Sequence, residues 1–485
     1  MIATIDHDAT DEFAQAFSAA TNGEYMLDIM RHCLLRPHQS GVDIVKCSLE
    51  FARRSSGRVL LQYVVTVRNL DTNEERQQIV TGASYGLERT SKVWEEELRL
   101  GTNDGMDSAA LRPLGFVPEL DVILQVFPCD HRLPALAPLM ERTQALLEPY
   151  LQEHLHRELG AGSTWSTKVV RYRGSLRACV RLTVANQAGR AQSFFAKVYA
   201  SDDEAKRAWK VQREVGRHLR ARDAGVQIPE PIVNLAQHRI LIQEAIPGFS
   251  LFALQRQGDV LGATQGSIRA AHGLAAFHQL ALPATDHRLR TPRVGTQRIQ
   301  RSAHRLRATR PSLKNLATLV ETDIIANIEH LPAVPPLVVH GDFKPSHVIL
   351  TAERDVFVDL DKCATGEPML DVISMMRRLG SQDDLAGTFL REYFRHVPAA
   401  WEGRLGPYYA AYLLEHAASI ERSVRSRHRA SVSSGDERAE RALHTARAVL
   451  EGVPVTSILG SVKSPDGSVA DVQRVAGEEL SHDQW

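Results

Sequence analysis

The stretch His340–Asp371, HGDFKPSHVILTAERDVFVDLDKCATGEPMLD, decides how the rest of this chain is read. An apolar run, Leu337-Val338-Val339, leads into a loop that carries Asp342. A short hairpin, VILTAERDVFVDL, then presents Asp359 seventeen residues later (359 − 342). Two apolar pieces around a polar turn are the pattern of a hairpin. Phosphoryl transfer to an alcohol requires a carboxylate beside the attacking hydroxyl, to orient it and take its proton. It also requires oxygen or nitrogen donors that hold Mg²⁺ on the phosphates. Asp342 suits the first role, and Asp359 with His347 the second.

These residues together resemble the catalytic segment of the aminoglycoside phosphotransferase and choline kinase-like family, which shares the protein-kinase fold. In that family H-G-D is followed, five residues after the Asp, by Asn, then by an apolar strand ending in D-x-D/E and by a G-D-P-x-x-D-like segment. Here His340-Gly341-Asp342 is intact and Asp359-Leu360-Asp361 matches. Gly366-Glu367-Pro368 with Asp371 matches except for Glu in place of Asp. The resemblance implies that Asp371 braces the loop rather than reacting, and leaves Asp361 as either a brace or a second metal contact. The family's Asn is His347 in this chain. Neutral imidazole can ligate a divalent ion, although it suits Mg²⁺ less well than oxygen does. Ligation through it would make activity fall below about pH 6.5, the ordinary histidine value.

Upstream the same resemblance implies a nucleotide-binding lobe. Lys197 closes an apolar strand, AQSFFAKVYA, as the lysine that grips the α- and β-phosphates would. Glu214, on the helix SDDEAKRAWKVQREVGRHLRARDAG, stands as its ion-pair partner; Ser201 and Glu204 read as a capping box and Gly225 as the stop. RILIQEAIPG resembles the hinge between lobes, so Gln243, Glu244 and Ile246 would face the adenine edge through backbone groups. One feature departs from a G-x-G-x-x-G loop: Arg173-Gly174-Ser175 is the only turn between the lobe's first two strands. His218, His272 and His278 read as packing or surface histidines.

The N-terminal part is rich in strands: IVKCSLEFA, RVLLQYVVTVRN and RQQIVTGASY, then a single extended stretch, GFVPELDVILQVFP. Aligning Tyr85 with Tyr199 sets QIVTGASY against SFFAKVYA and LQVFP against IQEAIP, with Ala83 where the second copy has Lys197. The pattern reads as a duplicated lobe whose first copy has become structural, so that substitutions at Ala83 should do little; two unrelated αβ segments are the alternative. The expected organisation is 1–140 as this N-terminal domain, 141–248 as the nucleotide-binding lobe, 249–451 as a helical lobe with the catalytic loop, and 452–485 as a polar disordered tail. The fold class is therefore α+β: a bilobal protein-kinase-like fold with an additional N-terminal strand-rich domain.

Composition narrows the function classes. The 58 basic and 58 acidic residues cancel, so no nucleic-acid footprint or membrane-binding basic patch is expected. The Arg-rich run 422–432 reads as a solvated helix end or, alternatively, as charge that neutralises an anionic substrate. No apolar run approaches the roughly 18 residues that span a bilayer, and MIATIDHDATDEF lacks the order of a secretory signal. Five scattered cysteines, none in C-x-x-C spacing, point to reduced thiols and a cytoplasmic protein. The expectation is an ATP- and Mg²⁺-dependent phosphotransferase acting on a hydroxyl of a small molecule such as a sugar, amino sugar or amino alcohol. The competing expectation is a silent pseudokinase that binds nucleotide or a protein partner.

Overall fold

The computed structural model describes residues 17–36, 41–55, 58–86, 89–98, 111–158, 163–280, 293–335, 337–380, 384–420 and 435–458. The Arg-rich run 422–432 and the tail beyond 458 lie outside them. The chain is α+β and divides into two compact units, residues 1–206 with 232–243, and residues 207–231 with 244–485.

The first unit holds two five-stranded sheets. One contains β1 (Val42–Ser55), β2 (Arg58–Asn69), β3 (Glu75–Ser84), β4 (Leu114–Val117) and β5 (Val122–Val126), in the order β1-β2-β3-β5-β4. Alternation in β2 buries Tyr63, Val65 and Val67 against helix α1 (Gly23–Leu34), whose Met26, Met30 and Leu34 recur at helical spacing. GFVPELDVILQVFP is not one extended stretch. Pro118–Leu120 form a 3₁₀ turn, Asp121 takes a left-handed conformation (φ 51°), and β4 folds back antiparallel on β5. An Asp tolerates that conformation better than most residues, and Pro118 starts the turn.

The second sheet contains β6 (Thr164–Arg173), β7 (Arg177–Ala185), β8 (Ala191–Tyr199), β10 (Pro231–Leu235) and β11 (Ile240–Glu244), while β9 (Val226–Gln227) pairs elsewhere. Read from β6, its order is β6-β7-β8-β11-β10, the same order as in the first sheet. A helix likewise follows the third strand in each: Arg89–Val93 in the first, α2 (Asp202–Arg222) in the second. Glu204 N–H donates to Ser201 Oγ at 3.3 Å, and Gly225 has φ +68°, as the helix start and stop predict.

The second unit is helical around one apolar core, interrupted by short strands. β13 (Leu337–Val339) pairs antiparallel with β16 (Ala364–Gly366), and β14 (Val348–Leu350) with β15 (Asp355–Phe357). β15 also runs parallel to β9, and β14 pairs with β12 (Phe249–Ser250). The helices that matter below are α3 (Val260–His278), α4 (Met369–Leu379) and α5 (Leu385–Arg395). Val455–Ile458, inside the segment expected to be a disordered tail, instead form a helical turn, because Val455 and Ile458 bury their apolar side chains on this core. No helix among the described residues is long and apolar enough to cross a membrane.

Candidate active site

Strand β13 delivers His340, Gly341 and Asp342, and the loop after them is fixed from below. Phe343 is fully buried and packs edge-on against Phe357 (centroids 4.7 Å apart), which in turn meets Phe277 of α3. An apolar anchor beside a polar residue fixes where the polar one points. Gly341 has φ +79°, and a Cβ there would stand 2.4 Å from Lys362 O, so only glycine fits.

Asp371, at the start of α4 and 1 % exposed, holds this loop. Its Oδ2 accepts from His340 N–H at 2.6 Å and its Oδ1 from Gly341 N–H at 2.8 Å. His278 of α3 lies at 3.2 Å from Oδ2 through Nε2, and its Nδ1 meets Tyr393 OH of α5 at 2.8 Å. The bracing expected of Asp371 is what its bonds do, and His278 is the buried residue that ties the brace to two helices. Glu367, the residue in place of the family's Asp, is buried and gripped by Arg404, whose Nη2 donates to Oε2 at 2.6 Å.

Asp342, His347 and Asp359 offer ligand atoms that all lie within 4.8 Å of one another. His347 Nε2 is 3.5 Å from Asp359 Oδ2. The hairpin β14–β15 brings Asp359 there, and Asp359 itself adopts φ 64°, ψ 54°. A left-handed non-glycine residue costs about 1 kcal/mol or more and is retained where the turn aims a side chain. Two carboxylates and an imidazole nitrogen form a donor set suited to a divalent cation. His347 Nδ1 is buried without a hydrogen-bond partner.

The electrostatics fix the protonation states. Burial raises the Asp342 carboxyl, but Lys344 and Lys362 outweigh it and hold the group down at about 2. Lys344 Nζ donates to Asp342 Oδ2 at 3.0 Å, and Lys362 Nζ lies 3.6 Å from the same oxygen. Burial, with Lys344 adding to it, drives His347 well below the ordinary histidine range. His347 is thus neutral already at pH 6.5, and the acid limb expected there from its ordinary value is displaced downward. The two lysines escaped the sequence reading; a cation two residues after the Asp was the available signal.

The remaining expected residues are spread over both units. Lys197 is half-buried on β8, opposite Cys179 of β7, and Gln243 is buried near the end of β11. The chain passes from the first unit to the second between Gln243 and Glu244, where the hinge was read. Glu244 N–H donates to Glu230 O at 3.0 Å, and Ile246 is half-buried two residues on. Glu214 is held on its own helix, accepting from Arg217 Nη2 at 2.6 Å and lying 3.1 Å from His218 Nε2.

The turn Arg173–Gly174–Ser175 is not an open cradle. Ser175 is 1 % exposed, its N–H donates to Asp130 Oδ2 at 2.6 Å, and its carbonyl accepts from Arg58 Nη2 at 3.2 Å. A Cβ on Gly174 would stand 2.3 Å from Thr81 Cγ2 of β3. Asp130 also accepts from Tyr172 OH at 2.9 Å. Thr81 of the first sheet and the buried carboxylate of Asp130, in the loop after β5, therefore cover this turn, an arrangement that sequence patterning does not reveal because Asp130 reads as an ordinary loop residue.

Comparison with known proteins agrees with the motif. The model of the phosphotransferase enzyme family matches residues 180–406 of this chain, in line with the resemblance that the His340–Asp371 segment carries. Among curated proteins nothing matches the sequence. Solved structures that resemble it include an ADP-bound aminoglycoside phosphotransferase (13 % identity, 63 % of this chain and 99 % of that one, TM-score 0.41). Others are a choline/ethanolamine kinase family protein from Mesorhizobium loti (17 %, 58 % and 89 %, 0.38) and choline kinase LicA from Streptococcus pneumoniae (12 %, 64 % and 100 %, 0.40).

Proposed function

We propose that this protein transfers the γ-phosphoryl group of ATP, with Mg²⁺, to a hydroxyl of a small molecule, using a bilobal kinase-like arrangement. The convergence of Asp342, His347 and Asp359, with Asp342 set between two lysines, carries the reading. Asp342 orients the acceptor hydroxyl and receives its proton. Its low proton affinity suits a loose transition state, in which the proton leaves late and positioning matters more than basicity. Asp359 and His347 would hold the metal ion, which neutralises charge on the phosphates. Lys344 adds positive charge beside the reacting group. Lys197 grips the α- and β-phosphates, and backbone groups of Gln243, Glu244 and Ile246 take the adenine edge. Glu214 is the partner that the resemblance assigns to Lys197, and a double-mutant cycle between the two measures that role directly.

The identical strand order of the two sheets, each with a helix after its third strand, supports reading the first sheet as a duplicated lobe. In the second reading the chain is a pseudokinase; the covered Ser175 turn and His347 in place of Asn favour it. Mg²⁺-dependent ATP turnover against sugars, amino sugars and amino alcohols decides between them. Acceptor-stimulated turnover supports the enzyme. Nucleotide binding without turnover in any metal supports the pseudokinase.

A further inference from the structure

Helices α3 and α5 carry a second group of metal-binding side chains, remote in sequence from the catalytic loop. We propose that His272, Glu392 and His396 form a Zn²⁺ site that pins α3 to α5. The three offer ligand atoms all within 4.8 Å of one another. Glu392 Oε1 is 2.7 Å from His272 Nε2 and 3.5 Å from His396 Nε2. In a tetrahedral zinc site with bonds of about 2.0–2.1 Å, neighbouring ligand atoms stand roughly 3.3 Å apart, and the two separations bracket that value.

One oxygen of the Glu392 carboxylate remains turned to the two imidazoles. Arg395 Nη1 donates to Glu392 Oε2 at 2.7 Å, which occupies the other carboxylate oxygen and leaves Oε1 turned to the two imidazoles. The His272 and His396 rings lie 4.3 Å apart, and both side chains are nearly half exposed while Glu392 is mostly covered. An ion there keeps access to solvent, so water completes the coordination. His396 is also the C-cap of α5, where the helix dipole favours positive charge. Two nitrogens and one oxygen select zinc over magnesium, which demands oxygen. The same two helices supply His278 and Tyr393, the residues behind Asp371. The ion would thus clamp the helix pair that braces the catalytic loop, about 9 Å along α3 from His278.

The test uses the full chain without an affinity tag, stripped of metal and titrated with Zn²⁺ in the presence of excess Mg²⁺. One equivalent should bind, persist in Asp359→Ala, and raise the melting temperature of both proteins. His272→Ala and His396→Ala should each weaken that equivalent at least about tenfold and abolish the thermal shift. His272→Cys, which exchanges one zinc ligand for another, should restore it. His396 ends its helix and is exposed, so its variant reports even if the His272 variant folds poorly. Zinc bound with unchanged tightness in both alanine variants, or no zinc bound by the native chain, would overturn the proposal.

Discussion

Gly341 shows how little freedom the catalytic loop has. Its positive φ and the 2.4 Å approach of Lys362 O leave no room for a methyl group. Gly341→Ala should therefore cost about 2 kcal/mol or more of stability and most of the activity, measured by denaturant unfolding and turnover. Asp342→Asn removes the proton acceptor without touching the nucleotide, so phosphoryl transfer should drop by about 10²–10⁴ while ATP affinity stays within a few-fold. His347 is neutral well below its ordinary range. The rate should accordingly stay level as pH falls from about 7.5 to about 6, with no limb near the unperturbed value of about 6.5. An imidazole titrating at its ordinary value would instead bend the profile there. At this scale the sequence was most informative where motifs have fixed spacing: His340-Gly341-Asp342 and Asp359 meet as their separation implies. Lys344 and Lys362 were not legible, since their meaning comes from the fold that brings both onto one oxygen of Asp342.

At the scale of elements, periodicity foretold β1 to β3 and α2, because alternation and capping are local. It failed on β4 and β5, where Pro118 and Asp121 reverse the chain inside a stretch that reads as one extended, largely apolar segment. The cover over the Ser175 turn was illegible for a different reason: Asp130 and Ser175 are 45 residues apart, and nothing local couples them. Burial raises the Asp130 carboxyl, although bonds from Ser175, Tyr172 and Arg132 pull the other way. A raised folded value means the ionised form is penalised in the folded state. This group's contribution is then most favourable below its unfolded value and declines as pH rises through the folded one. The native chain should gain stability relative to Asp130→Asn as pH falls from about 7 towards about 4, read as the difference between two denaturant curves. Asp130→Ala should cost about 1–3 kcal/mol, because it strands the buried Ser175 N–H and Tyr172 OH.

At the scale of the whole molecule, the two sheets share a strand order, and the proposed reading as a duplicated lobe gives them different chemistry by aligning Ala83 with Lys197. Ala83 is 1 % exposed, between Leu60 of β2 and Ile123 of β5 in the sheet. Substitution there should affect stability even where it leaves nucleotide affinity unchanged: a larger side chain overpacks the sheet, and a charge would be buried unpaired. Lys197 is half-buried two residues before the end of β8, in the lobe that the family resemblance implies for nucleotide binding. Lys197→Ala should raise the KM for ATP about tenfold or more, since it removes a cation that grips phosphate. Ala83→Lys should do the reverse, lowering the melting temperature by several degrees while the folded fraction keeps its KM. Steady-state kinetics and calorimetric melting of both variants test the division of labour. A large KM effect at Ala83 would show that the first sheet takes a direct part in nucleotide binding, and a large melting effect with unchanged KM at Lys197 would remove that lysine from the nucleotide site.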